Sequence, residues 1–163
     1  MTVADYDRCV RQYTDNLYRF ALKSLQQEEP AKDIVQESFL RLWENREVVI
    51  EGKEKSYLFT IAYRLIVDYV RLERRYGGNE TLLNSRCASA GSEYNNLRET
   101  IDRYLEELPA QQKSLILLRD YEGYSYQEIA ELTHLSESQV KVYIFRARVA
   151  LKKRIGDLSN ILG

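Results

Sequence analysis

The most one-sided chemistry in this sequence lies between Tyr121 and Ile155. From Lys141 to Arg154 six side chains are basic (Lys141, Arg146, Arg148, Lys152, Lys153 and Arg154) and none is acidic. A solvated helix face normally mixes signs, so a run of one sign points to a polyanionic partner. Val142 and Phe145 fall among these charges. Basic and apolar groups on one face suit a DNA major groove, where Arg reads guanine and apolar side chains touch thymine methyls. The competing reading is a helix whose outward apolar residues bury against another subunit. The start signals flanking the run favour DNA.

Those signals define the elements that carry the face. Ser125 is followed three residues later by Glu128, and Ser136 three residues later by Gln139. Both fit the capping box, in which a Ser hydroxyl and an acidic or amide side chain satisfy each other's backbone N–H groups. Two boxes eleven residues apart predict a short helix, a tight turn at 133–135 and a second helix, which is helix-turn-helix spacing. At 100° per residue, Val140, Ile144, Ala147 and Leu151 form a narrow core stripe. Val142, Phe145, Arg146, Val149, Lys152 and Lys153 fall opposite, with Lys141 and Arg148 on the flank.

Composition narrows the function class. The chain has 163 residues and a net charge of -1, so the basic helix is offset by acidic residues elsewhere. Such a protein binds bare DNA weakly and gains from a partner. Cys9 and Cys87 are far apart and His134 is the one histidine. No zinc site assembles at the usual ligand spacing, and neither a cofactor nor a small-molecule substrate is expected. With one His, no Gly-rich phosphate loop and no nucleophile motif, an enzyme has almost no support. The first residues carry charges where a signal peptide needs an apolar run, so the expectation is a cytoplasmic protein with reduced thiols.

Two prolines, seven glycines and no useful strand-like alternation predict an all-α protein. Residues 3–25 read as one amphipathic helix with Val3, Tyr6, Val10, Tyr13, Leu17, Phe20, Ala21 and Leu25 inward. A helix over 31–45 follows Pro30, with Ile34, Val35, Ser38, Phe39 and Leu42 inward and Asp33, Gln36, Glu37 and Arg41 mostly outward. Residues 44–55 read as a loop whose Val48, Val49 and Ile50 tuck under a neighbour by default. Ser56 is expected to cap a third helix, with Leu58, Ile61, Ala62, Leu65, Tyr69 and Leu72 buried. Tyr57, Phe59, Tyr63 and Tyr69 interleave there with Arg64, Arg71, Arg74 and Arg75. Such a mixture stacks single-stranded bases, and it also arises by chance in a chain with 13 tyrosines. Residues 76–94 are rich in Gly, Ser, Asn and Ala and read as a flexible linker. Asn95 or Asn96 caps the next helix, Pro109 stops it, and a helix over 111–121 has Leu115, Ile116 and Leu118 as core.

Three segments together resemble the extracytoplasmic-function group of the sigma-70 family of bacterial transcription initiation factors. DIVQESFLRLW and SYLFTIAYRLIVDYVRLERR resemble two segments of the family's N-terminal half. LEELPAQQKSLILLRDYEGYSYQEIAELTHLSESQVKVYIFRARVALKK resembles its C-terminal helix-turn-helix signature. The matches lie in the family's order, and two independent matches at the expected separation are far more specific than either alone.

The resemblance implies two small helical domains: a sigma2-like three- or four-helix domain at 1–75 and a sigma4-like helix-turn-helix domain at 95–163, joined by the linker at 76–94. It implies that Asp33, Gln36 and Glu37 dock on the beta-prime coiled coil of core RNA polymerase, whose beta flap is a second contact. The loop residues Asn45 and Arg46, with Tyr57, Arg64 and Arg71 of the following helix, would read the -10 promoter element beside a flipped base. Lys141, Val142, Phe145 and Arg146 would meet bases of the -35 element, Arg148 and Lys152 would hold phosphates, and Ser136 and Ser138 would offer helix N-terminal N–H groups to a phosphate. A membrane-bound anti-sigma factor is the implied regulator and would hold the protein at the inner membrane. The sequence departs from the family where a Gly is usual at the turn (His134), where Arg-Asn is usual in the -10 helix (Tyr63-Arg64), and where Ser and His are usual in the reading helix (Val142 and Phe145). The other function class left open is a dimeric helix-turn-helix regulator with an N-terminal helical sensing domain.

Overall fold

The computed structural model describes residues 1–76 and 93–162, with side chains at 1–76 and 99–156. All regular structure among these residues is helical. They form two compact units, the first holding α1–α3 and the second α4, α5, most of α6 and α7. The stretch at 77–92 expected to be a linker, Cys87 included, lies outside the described residues, as do the side chains of Asn95 and Asn96.

The first unit is a three-helix packing. α1 (Val3–Leu25) opens on a capping box that the sequence pattern did not reveal: the Thr2 hydroxyl accepts the Asp5 N–H at 3.1 Å, and the Asp5 carboxylate accepts the Thr2 N–H at 2.9 Å. It ends where Gln26 turns left-handed at φ 58 and returns its N–H to the Leu22 carbonyl. Leu17, Phe20, Ala21 and Leu25 are buried as expected, whereas Val3, at the helix's first position, is 64% exposed. α2 (Glu28–Glu44) starts ahead of Pro30, which sits in the first turn. Its inner face is the expected Ile34, Val35, Ser38, Phe39 and Leu42, and the buried Ser38 hydroxyl is satisfied by the Ile34 carbonyl at 2.7 Å. Tyr6 joins α1 to α2 by donating to the Phe39 carbonyl at 3.0 Å while its ring meets Trp43 edge-on at 5.0 Å.

α3 (Glu54–Arg75) begins two residues before the expected cap. Ser56 lies in the first turn and does not cap it. Gly52, at φ 85, delivers the chain into the helix early, and Glu54 accepts the Gly52 N–H at 3.2 Å. The buried face is also wider than the predicted stripe: Phe59, Tyr63 and Ile66 join Leu58, Ile61 and Ala62, while Leu72 is 51% exposed. α3 packs on both α1 and α2, so two adjacent faces are covered. Each fully buried side chain here, such as Leu17, Phe20 and Phe59, contributes about 1.5–3 kcal/mol of transfer free energy. The expected tucking of the α2–α3 loop does not occur. Val48 and Val49 both donate to the Asn45 carbonyl in a tight turn, and Val48 and Ile50 are 75% and 71% exposed.

In the second unit, α4 (Glu93–Glu106) starts ahead of Asn95. α5 (Ala110–Ile116) follows Pro109 and runs into a π-helical turn at Leu117–Tyr121, where the sequence pattern predicts one continuous helix. The Glu122 N–H reaches the Leu117 carbonyl at 3.1 Å, an i to i−5 bond. Four consecutive residues of a regular α-helix span about 300° and do not share one narrow face. Leu115, Ile116, Leu117 and Leu118 are nonetheless all within 3% of complete burial, and the widened turn accompanies that run. α5 packs on α7 (Glu137–Leu162), which α4 also contacts. α6 (Tyr126–Thr133) precedes α7 across a short turn.

Candidate nucleic-acid interface

Both expected capping boxes are formed. Ser125 donates its N–H to Glu128 at 3.1 Å and accepts the Glu128 N–H at 3.1 Å. Ser136 and Gln139 do the same at 3.0 and 3.1 Å. Between the boxes, His134 is left-handed at φ 60. An αL residue is what lets a helix stop and the chain reverse within a few residues, and it favours Gly for lack of a Cβ. His134 therefore makes the turn at a conformational cost that Gly would not incur.

The caps fix which face of α7 turns inward. Val140, Ile144 and Ala147 are within 1% of full burial, with Leu151 half-buried. Opposite them Phe145 is 68%, Val149 51% and Val142 46% exposed, and Arg146, Lys152 and Lys153 are exposed beside them. Three of the six cations have acidic partners: Lys141 with Glu137 at 3.5 Å, Arg148 with Asp120 at 2.6 Å and Arg154 with Glu107 at 2.7 Å. Among the described residues, Arg146, Lys152 and Lys153 have no ion-pair partner. The outer face is thus a stripe of exposed apolar groups edged by cations that no described acidic residue pairs.

Sequence reasoning missed the flank. Arg119 lies over the Tyr126 ring at 4.7 Å and donates to the Tyr124 carbonyl at 2.9 Å, while the Lys141 ammonium lies 5.8 Å from the centroid of the same ring. Tyr126 thereby gathers two cations next to the start of α7. The sign that something irregular precedes Gly123 was the unbroken apolar run at 115–118, which no narrow helical stripe accommodates.

In the first unit, Asp33 and Gln36 are exposed on α2, and Glu37 is half-buried and paired with Arg41 at 2.9 Å. The spacing i, i+3, i+4 puts all three on one face. Asn45 donates to the Arg41 carbonyl at 2.9 Å. Arg46 donates to the Trp43 carbonyl at 2.8 Å and stacks 4.1 Å from its ring. Tyr57, Arg64 and Arg71 recur every seven residues and so form one line along α3, about 21 Å long at 1.5 Å per residue; Tyr57 is half-buried and the two arginines exposed. Phe59 and Tyr63 are buried and belong to the core, so the aromatic set available for stacking is smaller than the sequence shows.

Sigma-70 region 2 matches residues 9–76 and Sigma-70, region 4 matches residues 98–151. RNA polymerase sigma factor SigV of Bacillus subtilis is 31% identical over 158 residues, covering 93% of this chain and 92% of that protein. This chain belongs to the extracytoplasmic-function sigma factors of the sigma-70 family. ECF RNA polymerase sigma factor SigL of Mycobacterium tuberculosis is 30% identical over 152 residues, covering 87% and 84%. ECF RNA polymerase sigma factor SigM of Bacillus subtilis is 27% identical over 150 residues, covering 90% and 92%. The fold is shared with the sigma factor RpoE of Bartonella quintana, solved with the anti-sigma factor NepR, at a TM-score of 0.79, 23% identity and coverage of 94% of this chain and 98% of that one. CnrH, solved with the cytosolic domain of CnrY, gives a TM-score of 0.73 at 19% identity, covering 96% and 90%. Membership decides between the two function classes left open by the residues alone: this sigma factor is a transcription initiation factor that binds core RNA polymerase and promoter DNA. Among the described residues of this sigma factor, no helix is long and apolar enough to cross a membrane.

Proposed function

We propose that the two units of this sigma factor divide promoter recognition between them. Residues 1–75 dock on the polymerase and read the -10 element, residues 95–163 read the -35 element, and residues 76–94 connect them. Asp33, Gln36 and Glu37 meet the beta-prime coiled coil, and the second unit meets the beta flap. Asn45, Arg46, Tyr57, Arg64 and Arg71 contact -10 DNA as it melts. Lys141, Val142, Phe145 and Arg146 face bases of the -35 element, Lys152 holds a phosphate, and the α7 N-terminus at Ser136 and Ser138 offers N–H groups to another. The chain supplies binding, and the polymerase supplies the chemistry.

The observation that carries this reading is the outer face of α7. Exposed Val142, Phe145 and Val149 lie beside Arg146, Lys152 and Lys153, cations without acidic partners among the described residues. With an overall charge of -1, such a face selects DNA best when the polymerase supplies the remaining affinity. We also propose an anti-sigma factor as regulator, because RpoE and CnrH, which share the fold, were solved with NepR and the cytosolic domain of CnrY. A membrane-anchored regulator of that kind would keep this cytoplasmic protein at the inner membrane.

Run-off transcription with purified core polymerase on DNA from upstream of the chain's own gene tests the reading. A promoter-specific transcript that needs both core and this protein is expected. No core-dependent transcript together with no core binding would overturn it.

A further inference from the structure

We infer that Asp120 and Arg148 form a positioning clamp for the DNA-reading helix, and that Arg148 does not hold a phosphate. The inference rests on α7 being the -35 reader and concerns how that helix is aimed.

The Arg148 guanidinium approaches Asp120 through two donors, with one Nη at 2.6 Å from Oδ1 and Nε at 3.4 Å from Oδ2. A guanidinium fork gripping both carboxylate oxygens fixes direction as well as distance. Asp120 belongs to the π turn at Leu117–Tyr121. One extra residue in a helical turn rotates the next segment by about 100° relative to a regular helix, so the carboxylate's direction depends on that turn. Asp120, and then Tyr126 at the start of α6, raise the affinity of the Arg148 guanidinium for its proton. The clamp therefore ties the π turn to the middle of α7.

Both side chains are roughly half exposed, at 46% and 39%, and an ion pair that wet contributes little to stability. Its effect is geometric. Arg148 lies within one turn of Phe145 and Arg146 on α7, and a recognition constellation works only when held within about 0.5 Å of its productive place. A phosphate brought to Arg148 would also meet the Asp120 carboxylate already there, a like charge that costs affinity.

The phosphate-holding alternative predicts the opposite sign at Asp120. If the carboxylate only competes with a phosphate, Asp120→Asn frees Arg148 and tightens DNA binding. If the pair aims the helix, Asp120→Asn loosens it. The measurement is the affinity of the full-length protein in holoenzyme for its own promoter, located by run-off transcription, with an intact or a scrambled -35 element, across a series of KCl concentrations. The clamp predicts that Asp120→Asn and Arg148→Lys each reduce the preference for the intact -35 element by about fivefold or more, the loss of one good base contact. It predicts an unchanged salt slope and a double variant no worse than either single one. Lysine keeps the charge but not the fork, and this mild replacement carries the test if Asp120→Asn fails to fold. Tighter binding by Asp120→Asn, or full retention of preference by Arg148→Lys, overturns the clamp, as does a slope lowered by about 0.9 in Arg148→Gln, the signature of a lost phosphate contact. The wild-type curve tests the interface itself, and the sign at Asp120 tests the clamp.

Discussion

The Ser136 hydroxyl accepts the backbone N–H of Gln139 at 3.1 Å while the Gln139 side chain accepts the backbone N–H of Ser136 at 3.0 Å. This reciprocal pair closes the first turn of α7 immediately before Lys141 and Val142, where the outward face begins. Two residues upstream, the left-handed His134 reverses the chain. The start of the reading helix is therefore set by two local devices, a cap and a turn residue, before any packing acts on it.

Ser136→Ala should destabilise the protein by about 1 kcal/mol, the usual cost of an N-cap removed. Ser136→Asn should retain most of the stability, because an Asn side chain also accepts the N–H of the first turn. Urea unfolding followed by circular dichroism distinguishes the two. Equal stability of wild type and the Ala variant would mean that packing of Val140 and Ile144 alone sets the start of α7.

Gly123 has φ 77, with open space where a Cβ would stand. Gly123→Ala should therefore cost about 1 kcal/mol through backbone strain alone, without a clash. The next residue, Tyr124, donates its N–H to the Leu118 carbonyl at 3.1 Å, so this left-handed residue lets the chain fold back on the π turn. Amide exchange at Tyr124 should quicken in the variant along with the loss of midpoint; unchanged exchange and midpoint would refute the strain.

The helix-turn-helix was legible because its determinants are local. Ser125 and Glu128, like Ser136 and Gln139, act within four residues of each other, and the Val140–Ile144–Ala147 stripe follows from helical period alone. The three helices of the first unit were legible for the same reason. A boundary failed where the backbone, not the side-chain type, decided: Gly52 brings α3 in before Ser56, whereas α1 spans the expected 3–25 although its Thr2–Asp5 box went unread. Burial on α3 failed because periodicity yields one stripe, whereas a helix lying on two neighbours buries two, taking in Phe59 and Ile66. The Asp120–Arg148 pair was out of reach for a different reason. The two partners of that pair stand 28 residues apart, and no local rule joins them.

The Asp5 carboxyl is held at about 2, below its usual 3.8, first by the Thr2 backbone N–H, then by the Thr2 hydroxyl, with Arg8 assisting. A carboxyl whose folded pKa is depressed contributes stability that is fully present above about 3.8 and is lost as pH falls through about 2. Wild type should therefore lose stability over that window relative to Asp5→Asn, with the difference between them shrinking as the carboxyl protonates. Thermal melts of both proteins at a series of acid pH values check the sign. A difference that stays constant across that window would mean that the capping box does not bind the charged form preferentially.

Lys141→Ala combined with Arg146→Ala should abolish transcription that depends on the -35 element while leaving core binding unchanged. Arg146 is exposed on the outer face with no ion-pair partner among the described residues, so its charge is available to DNA. Lys141 is paired with Glu137 only across 3.5 Å at a half-exposed site, a link weak enough to yield to a DNA contact. Loss of one good base contact costs about 1–3 kcal/mol, and two such losses exceed what a marginal -35 interaction withstands. Neither side chain belongs to the core stripe of Val140, Ile144 and Ala147, so the fold should survive. Promoters with intact and scrambled -35 elements, assayed beside direct core binding, separate the outcomes. Equal activity of wild type and double variant on the intact promoter would remove α7 from -35 reading, and loss of core binding would move these residues to the polymerase contact instead.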